Sequence, residues 1–201
     1  MSAPIEIVSG PLSVWISPHG EAFPTIQTTP AGNWVKIGAT GAGSISEDGL
    51  TISHPQEFFE VRTAGSTAVQ KVFRTSESMI VSFSLFDISA PEYSRMLNNN
   101  TVGSVTAAAG VAGEKSVDIY RGMNVNVNGL LVRGSLSPGQ DGAPVQYEIP
   151  KVYQASSPEV VYNKGVAAGL AFEFTAIFDA TQSAGQELGR YVYQTADPVK
   201  E

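Results

Sequence analysis

The sequence predicts an all-β fold, a β-sandwich or partly closed barrel with one short helix and a long protruding β-hairpin arm. Three observations carry this. Roughly ten runs are rich in β-branched and aromatic residues, and several alternate apolar with polar side chains, as a strand with one buried face does. Gly, Pro, Asn and Ser cluster between those runs as turns. Only the stretch from Ser89 to Asn100 repeats apolar residues at helical spacing.

Ile5–Val8 and Leu12–Ile16 are short β-rich runs broken by Ser9-Gly10-Pro11. Residues 17–20 form a turn cluster. Residues 21–32, with two prolines and three threonines, form an extended linker. Asn33–Gly38 is a short strand around Trp34. The glycine-rich piece Gly38–Gly43 lacks the Lys-Ser/Thr ending of a phosphate loop and has no helix after it, so it is a turn.

Residues 44–76 form the arm. Leu50–Ser53, Gln56–Arg62 and Val69–Arg74 are strand-like, and the small polar linker Thr63–Ala68 makes a mobile hairpin tip. Phe58, Val61, Val72 and Phe73 are apolar on strands with no core of their own, which marks them as contacts between subunits. The run Glu77–Asp87 then alternates cleanly. Met79, Val81, Phe83 and Leu85 point one way, and Ser78, Ser82 and Ser84 the other.

The helix has Ser89 as N-cap, Pro91 in its first positions and Glu92 in its first turn. Tyr93, Met96 and Leu97 form its apolar stripe, and Asn98-Asn99-Asn100 ends it. Ser116–Tyr120 and Met123–Arg133 are further strands, and Ser135–Gly142 is a loop. Val145–Tyr153 contains Pro150, which demands a sheet edge or a bulge. Val166–Ala180 is the last long strand, with Leu170, Phe172, Phe174, Ala176 and Phe178 on its apolar face. A polar tail over 181–201 carries Tyr191 and Tyr193 as docking points.

At 201 residues the chain suits one domain, with residues 1–32 as an N-terminal segment. Charged residues make up 15% against the ~25% usual for globular domains. Such depletion suits an assembling subunit, since charge is scarce at interface cores, and equally a β protein whose strands are polar but uncharged. The net charge is −7, and the first sixty residues hold six acids against one base, Lys36. That balance opposes binding to nucleic-acid phosphates, though it does not argue against a surface that DNA slides past. Without cysteine there is no disulfide framework, thiolate metal site or thiol nucleophile. The start has no signal-peptide pattern and no run is long enough to span a membrane, so a soluble chain made in a cytoplasm is expected.

Catalytic patterns are missing. His19 and His54 each sit beside a proline in turn-like segments, with no second ligand at metal spacing. There is no Gly-x-Ser-x-Gly elbow. Glu57/Glu60 and Glu47/Asp48 read as solvated pairs. No cofactor or enzyme activity is expected.

The order of several short motifs carries a resemblance. Trp34–Gly38 (WVKIG) leads through the glycine-rich loop to Gly49–Ser53 (GLTIS). The acidic-aromatic strand Glu57–Arg62 and an arm strand with Val72 and Arg74 follow. Next come Ser76–Leu85 (SESMIVSFSL), a short helix, Tyr147–Val152 (YEIPKV) and Gly169–Asp179 (GLAFEFTAIFD). In this order the chain resembles the major tail tube proteins of long-tailed bacteriophages with non-contractile tails, over about Trp34 to Asp179.

The resemblance implies a virion protein, made in the host cytoplasm, whose subunits form stacked rings, usually hexameric, around a channel for DNA. It implies tail terminator, tail tip and tape measure proteins as partners, and no membrane. The arm would supply the stacking contact. DNA would pass without specific binding along the non-core faces of Met79–Leu85, Val117–Tyr120, Asn124–Val132 and Leu170–Phe178. Those faces offer Ser82, Ser84, Asn124, Asn126, Glu173 and Thr175 to the channel. The tube of bacterial type VI secretion is a related alternative. A carbohydrate-binding or adhesin-like module and a β-sandwich hydrolase are others. Against the carbohydrate module, the aromatics are expected mostly on core faces.

Overall fold

A computed structural model describes residues 10, 12–134, 144–157, 159–165 and 167–195. The expected strand Ile5–Val8 and loop Ser135–Gly142 lie outside them, as do the ends of the chain. The fold is all-β. Eight strands form one antiparallel sheet. Its path runs β2 (Val35–Lys36), β1 (Leu12–Pro18), β9 (Asn128–Gly134), β10 (Val145–Gln154), β11 (Leu170–Ala176), β6 (Ile80–Leu85) and β3 (Ile45–Ser53). The eighth, β12 (Arg190–Tyr193), shares an edge of β10 with β11.

The sheet folds on itself because one face of every long strand is apolar. Val14 and Ile16 of β1 join Leu130 and Val132 of β9, Val81, Phe83 and Leu85 of β6, and Phe172 and Phe174 of β11 in one core. The rings of Phe83 and Phe172 stack with centroids 5.2 Å apart. Each such side chain contributes on the order of 1.5–3 kcal/mol on burial.

The glycine-rich turn carries the chain from β2 at one end of the sheet to β3 at the other. It forms a 3-10 turn, Gly41–Ser44, held to β1 by Ala42 N–H donating to Ser13 Oγ at 3.1 Å. Gly38 has φ 78°, and a Cβ there would lie 2.7 Å from Ser44 Cβ and 2.9 Å from Leu85 Cδ1. Only glycine fits that left-handed and crowded position.

Pro150 sits in the interior of the sheet, and the ladder between β10 and β9 slips there, between Ile149 and Val152. The bulge absorbs the missing N–H donor. The helix α1 (Ala90–Leu97) buries Met96 in the core and also covers Leu97. Ser89 caps with extended backbone only, without the expected side-chain hydrogen bond.

Four expectations need correction. The run Met123–Arg133 is a strand only from Asn128, because Gly122 turns at φ 71° and the asparagines bond elsewhere. Ser116–Tyr120 does not join the main sheet; β8 (Glu114–Val117) pairs with β7 (Val102–Val105) as a separate hairpin. The last long strand stops at Ala176, so Phe178 is exposed rather than core. The polar tail contains a strand, β12, whose Tyr191 packs 4.8 Å from Tyr147.

Candidate assembly surfaces

The arm is shorter than the expected 44–76, because β3 pairs with β6 in the main sheet, and it continues that pair outward. Ser53 lies opposite Ile80 at the end of that pair, and Ser78 N–H bonds to Pro55 C=O at 3.1 Å just beyond. There β4 (Gln56–Val61) pairs with β5 (Lys71–Glu77) as an isolated two-stranded sheet. At the tip, Ser66 N–H closes a turn on Thr63 C=O.

Phe58, Val72 and Phe73 are exposed at 55%, 50% and 46%, and Val61 is half-buried. The register divides them. Phe59 opposes Phe73 and Val61 opposes Lys71 on one face; Phe58 opposes Arg74 and Glu60 opposes Val72 on the other. Phe59, 58% exposed, belongs with Phe73 and Val61 but was not among the expected contacts. Strand alternation alone could have found it, since neither face of a two-stranded ribbon has a core behind it.

The polar face is the second surface. Ser82 of β6 lies opposite Glu173 of β11 and Thr51 of β3, while Ser84 lies opposite Ala171 and Ile80 opposite Thr175. Ser82, Ser84, Glu173 and Thr175 therefore share the non-core side of the β11-β6-β3 half, all half-buried. Ser46, Asp48 and Ser156 join Ser82, Ser84 and Glu173 around a shallow groove.

The same side of the other half is covered by residues 22–34. Trp34 Nε1–H donates to Ala22 C=O at 2.9 Å and its ring packs 5.2 Å from Phe23. Gln146 donates to Pro24 C=O, and Arg133 to the carbonyls of Thr25 and Thr28.

Asn124 and Asn126 lie elsewhere. Asn98, at the helix C-cap, donates Nδ2–H to the carbonyls of Arg121 and Asn124, both at 2.9 Å. Asn126 N–H donates to Asn98 Oδ1 at 2.8 Å. Asn100 donates to the carbonyls of Asp118 and Tyr120. These amides satisfy backbone groups that would otherwise form a strand ladder.

This clamp holds a third surface, not foreseen from the sequence. Ile119, Tyr120, Met123 and Val125 are 70%, 83%, 96% and 59% exposed on the clamped segment. Tyr162 and Phe178 are also mostly exposed, so the expectation that the aromatics sit chiefly on core faces is wrong.

The buried charges serve structure. Gln146 and Glu148 lie under the covering segment, linked to each other and to Arg133 and Arg190. Burial lowers the Arg133 guanidinium pKa and Glu148 opposes that shift. His19 Nε2 lies 3.0 Å from Asp179 Oδ2. Among the described residues no cluster of three or more His, Asp or Glu could hold a metal ion, and no helix is long and apolar enough to cross a membrane. No protein-family model matches the chain, and no curated protein matches it.

Proposed function

We propose that the chain is a structural subunit whose copies form rings, hexameric in the family it resembles, that stack into a phage tail tube through which DNA leaves the virion. The observation that carries this reading is the arm. A two-stranded hairpin is at best marginally stable in water, and this one exposes three phenylalanines, Phe58, Phe59 and Phe73, which none of the described residues covers. Exposed apolar surface of this kind marks a protein interface. The half of the sheet that carries Ser82, Ser84, Glu173 and Thr175 supplies a polar wall whose groove has no Lys or Arg among its described lining residues to hold phosphates. Tail terminator, tail tip and tape measure proteins are the partners this reading brings with it.

A second reading, the carbohydrate-binding module, draws on one observation. Tyr191 and Tyr193 of β12 stack at 6.0 Å, beside Tyr147, and each is 46% exposed. Negative-stain electron microscopy of the purified protein separates the two. Rings or tubes are expected; a monodisperse monomer at all concentrations rejects the tube.

A further inference from the structure

The arm and the asparagine-clamped segment leave opposite ends of the same strand. The arm departs before Ile80, at the start of β6, and the helix that carries the clamp follows Leu85, at its end. The clamped segment is tied to that second end. Arg121 donates to Met96 C=O at 3.2 Å, and Asn98 and Asn100 fix residues 118–126. When copies stack head to tail, the arm of one therefore points toward the clamped segment of the next. Such a contact is heterologous: two different surfaces meet, and the arrangement repeats along an axis.

The chemistry of the two surfaces matches. One face of the arm carries Phe59, Phe73, Val61 and Lys71, with Glu57 at its base. Lys71 Nζ lies 4.7 Å from the centroid of the Phe73 ring and makes no ion pair among the described residues. The other face is charge-neutralised within the arm, by Glu60–Arg62 at 2.8 Å and Arg74–Glu77 at 3.0 Å. The clamped segment presents Ile119, Tyr120, Met123 and Val125 with Asp118, whose carboxylate is likewise without a partner among the described residues. Each surface thus offers apolar side chains flanked by charges without ion-pair partners among the described residues, Lys71 and Glu57 on the arm and Asp118 and Arg121 on the clamped segment, so that opposite signs can be set against each other. The clamp also removes the ordering cost that exposed apolar loops normally add on binding.

We propose that the clamped segment is the docking site for the Phe59/Phe73 face of a second copy's arm, with Lys71 set against Asp118. This rests on the reading of the chain as a self-stacking subunit and names the surface that receives the arm.

The chain has no cysteine, so an introduced pair reports contact without background. Full-length Phe73→Cys and Tyr120→Cys proteins are mixed, oxidised and separated on non-reducing gels. Both positions are exposed, so neither change disturbs the core. The expected result is a mixed disulfide between the two variants well above its statistical share of all dimers. A statistical or lower share overturns the proposal. Lys71→Glu or Asp118→Lys, each added to its own cysteine variant, should lower the cross-linking roughly two- to fivefold, the scale of an exposed ion pair. Both together should restore it; no restoration overturns the charge pairing. Microscopy of unmodified protein keeps the two ideas apart. Tubes without the mixed disulfide overturn the docking site and leave the tube standing. The mixed disulfide without rings or tubes keeps the docking site and overturns the tube.

Discussion

Three consecutive asparagines show how identical side chains take different tasks from their positions. Asn99 adopts φ 59°, the left-handed turn after the helix C-cap that asparagine tolerates better than other residues bearing a Cβ. Asn98 and Asn100 on either side send their amides to the backbone of residues 118–126. Asp179 does comparable duty at the other end of the sequence. Burial raises its carboxyl pKa, but hydrogen bonds from the Thr181 hydroxyl, His19, the Thr181 N–H and Gln182 outweigh that and hold it well below the usual carboxylate range. The sign follows from linkage. A carboxyl whose pKa is depressed by folding stabilises above its unfolded value, about 3.9, and that contribution is lost as pH falls below it. Asp179→Asn is therefore expected to lower Tm at neutral pH and to flatten the fall in Tm between about pH 4 and pH 2. Thermal melts across that range check it; parallel curves for the two proteins would show that the carboxylate adds nothing.

At the scale of elements, the arm is the part whose apolar faces no described residue covers. Both of its faces carry phenylalanine, so a single covering surface leaves one face wet. Phe58→Asp, on the face away from Lys71, is expected to leave monomer Tm unchanged, because Phe58 touches no core cluster. It should still block assembly, since burying a phenylalanine contributes roughly 1.5–3 kcal/mol per copy and a carboxylate there reverses the sign. Sedimentation of the variant at assembling concentrations tests this, and wild-type assembly would mean that only one arm face is used. Much of this was legible in the sequence. The alternation of Met79–Leu85 and Leu170–Ala176, the helix at Pro91, the arm and the Pro150 bulge all follow from local patterns. What failed was non-local. Met123–Val127 alternates like a strand, but Asn98 takes its backbone groups, a bond across 26 residues that no period reveals. Phe178 continues an apolar series past the last ladder partner, Ala176, and only pairing shows where burial ends. The same applies to Asn124 and Asn126, whose side of the molecule is set by the helix cap and not by their own spacing.

The whole molecule is a sheet folded around one core, with its outer side dressed unequally. The segment 22–34 covers the half built on β1, β9 and β10; among the described residues no such segment covers the half built on β11, β6 and β3. Under the proposed tube, that asymmetry leaves one wall to face the channel. Around the groove on that wall the charged side chains are Asp48 and Glu173, both acidic, set among hydroxyls of Ser46, Thr51, Ser82, Ser84 and Ser156. In a ring each acid recurs once per subunit, and in a stack the rings repeat it along the axis. Phosphates passing such a wall meet like charge at every level and release no counterions to it. Glu173 is the better probe of the two, since it sits mid-strand opposite Ser82 and its side chain holds no structural ion pair among the described residues. Glu173→Lys inverts one charge per copy without touching the core behind it. In reconstituted particles with intact tubes, the variant is expected to slow DNA release. The slowing should grow at low ionic strength, because screening acts over about 10 Å at 0.1 M salt and reaches further as salt is withdrawn. Release that is unchanged at every salt concentration would place Glu173 on an outer wall, and with it Ser82 and Ser84, which share its side of the sheet.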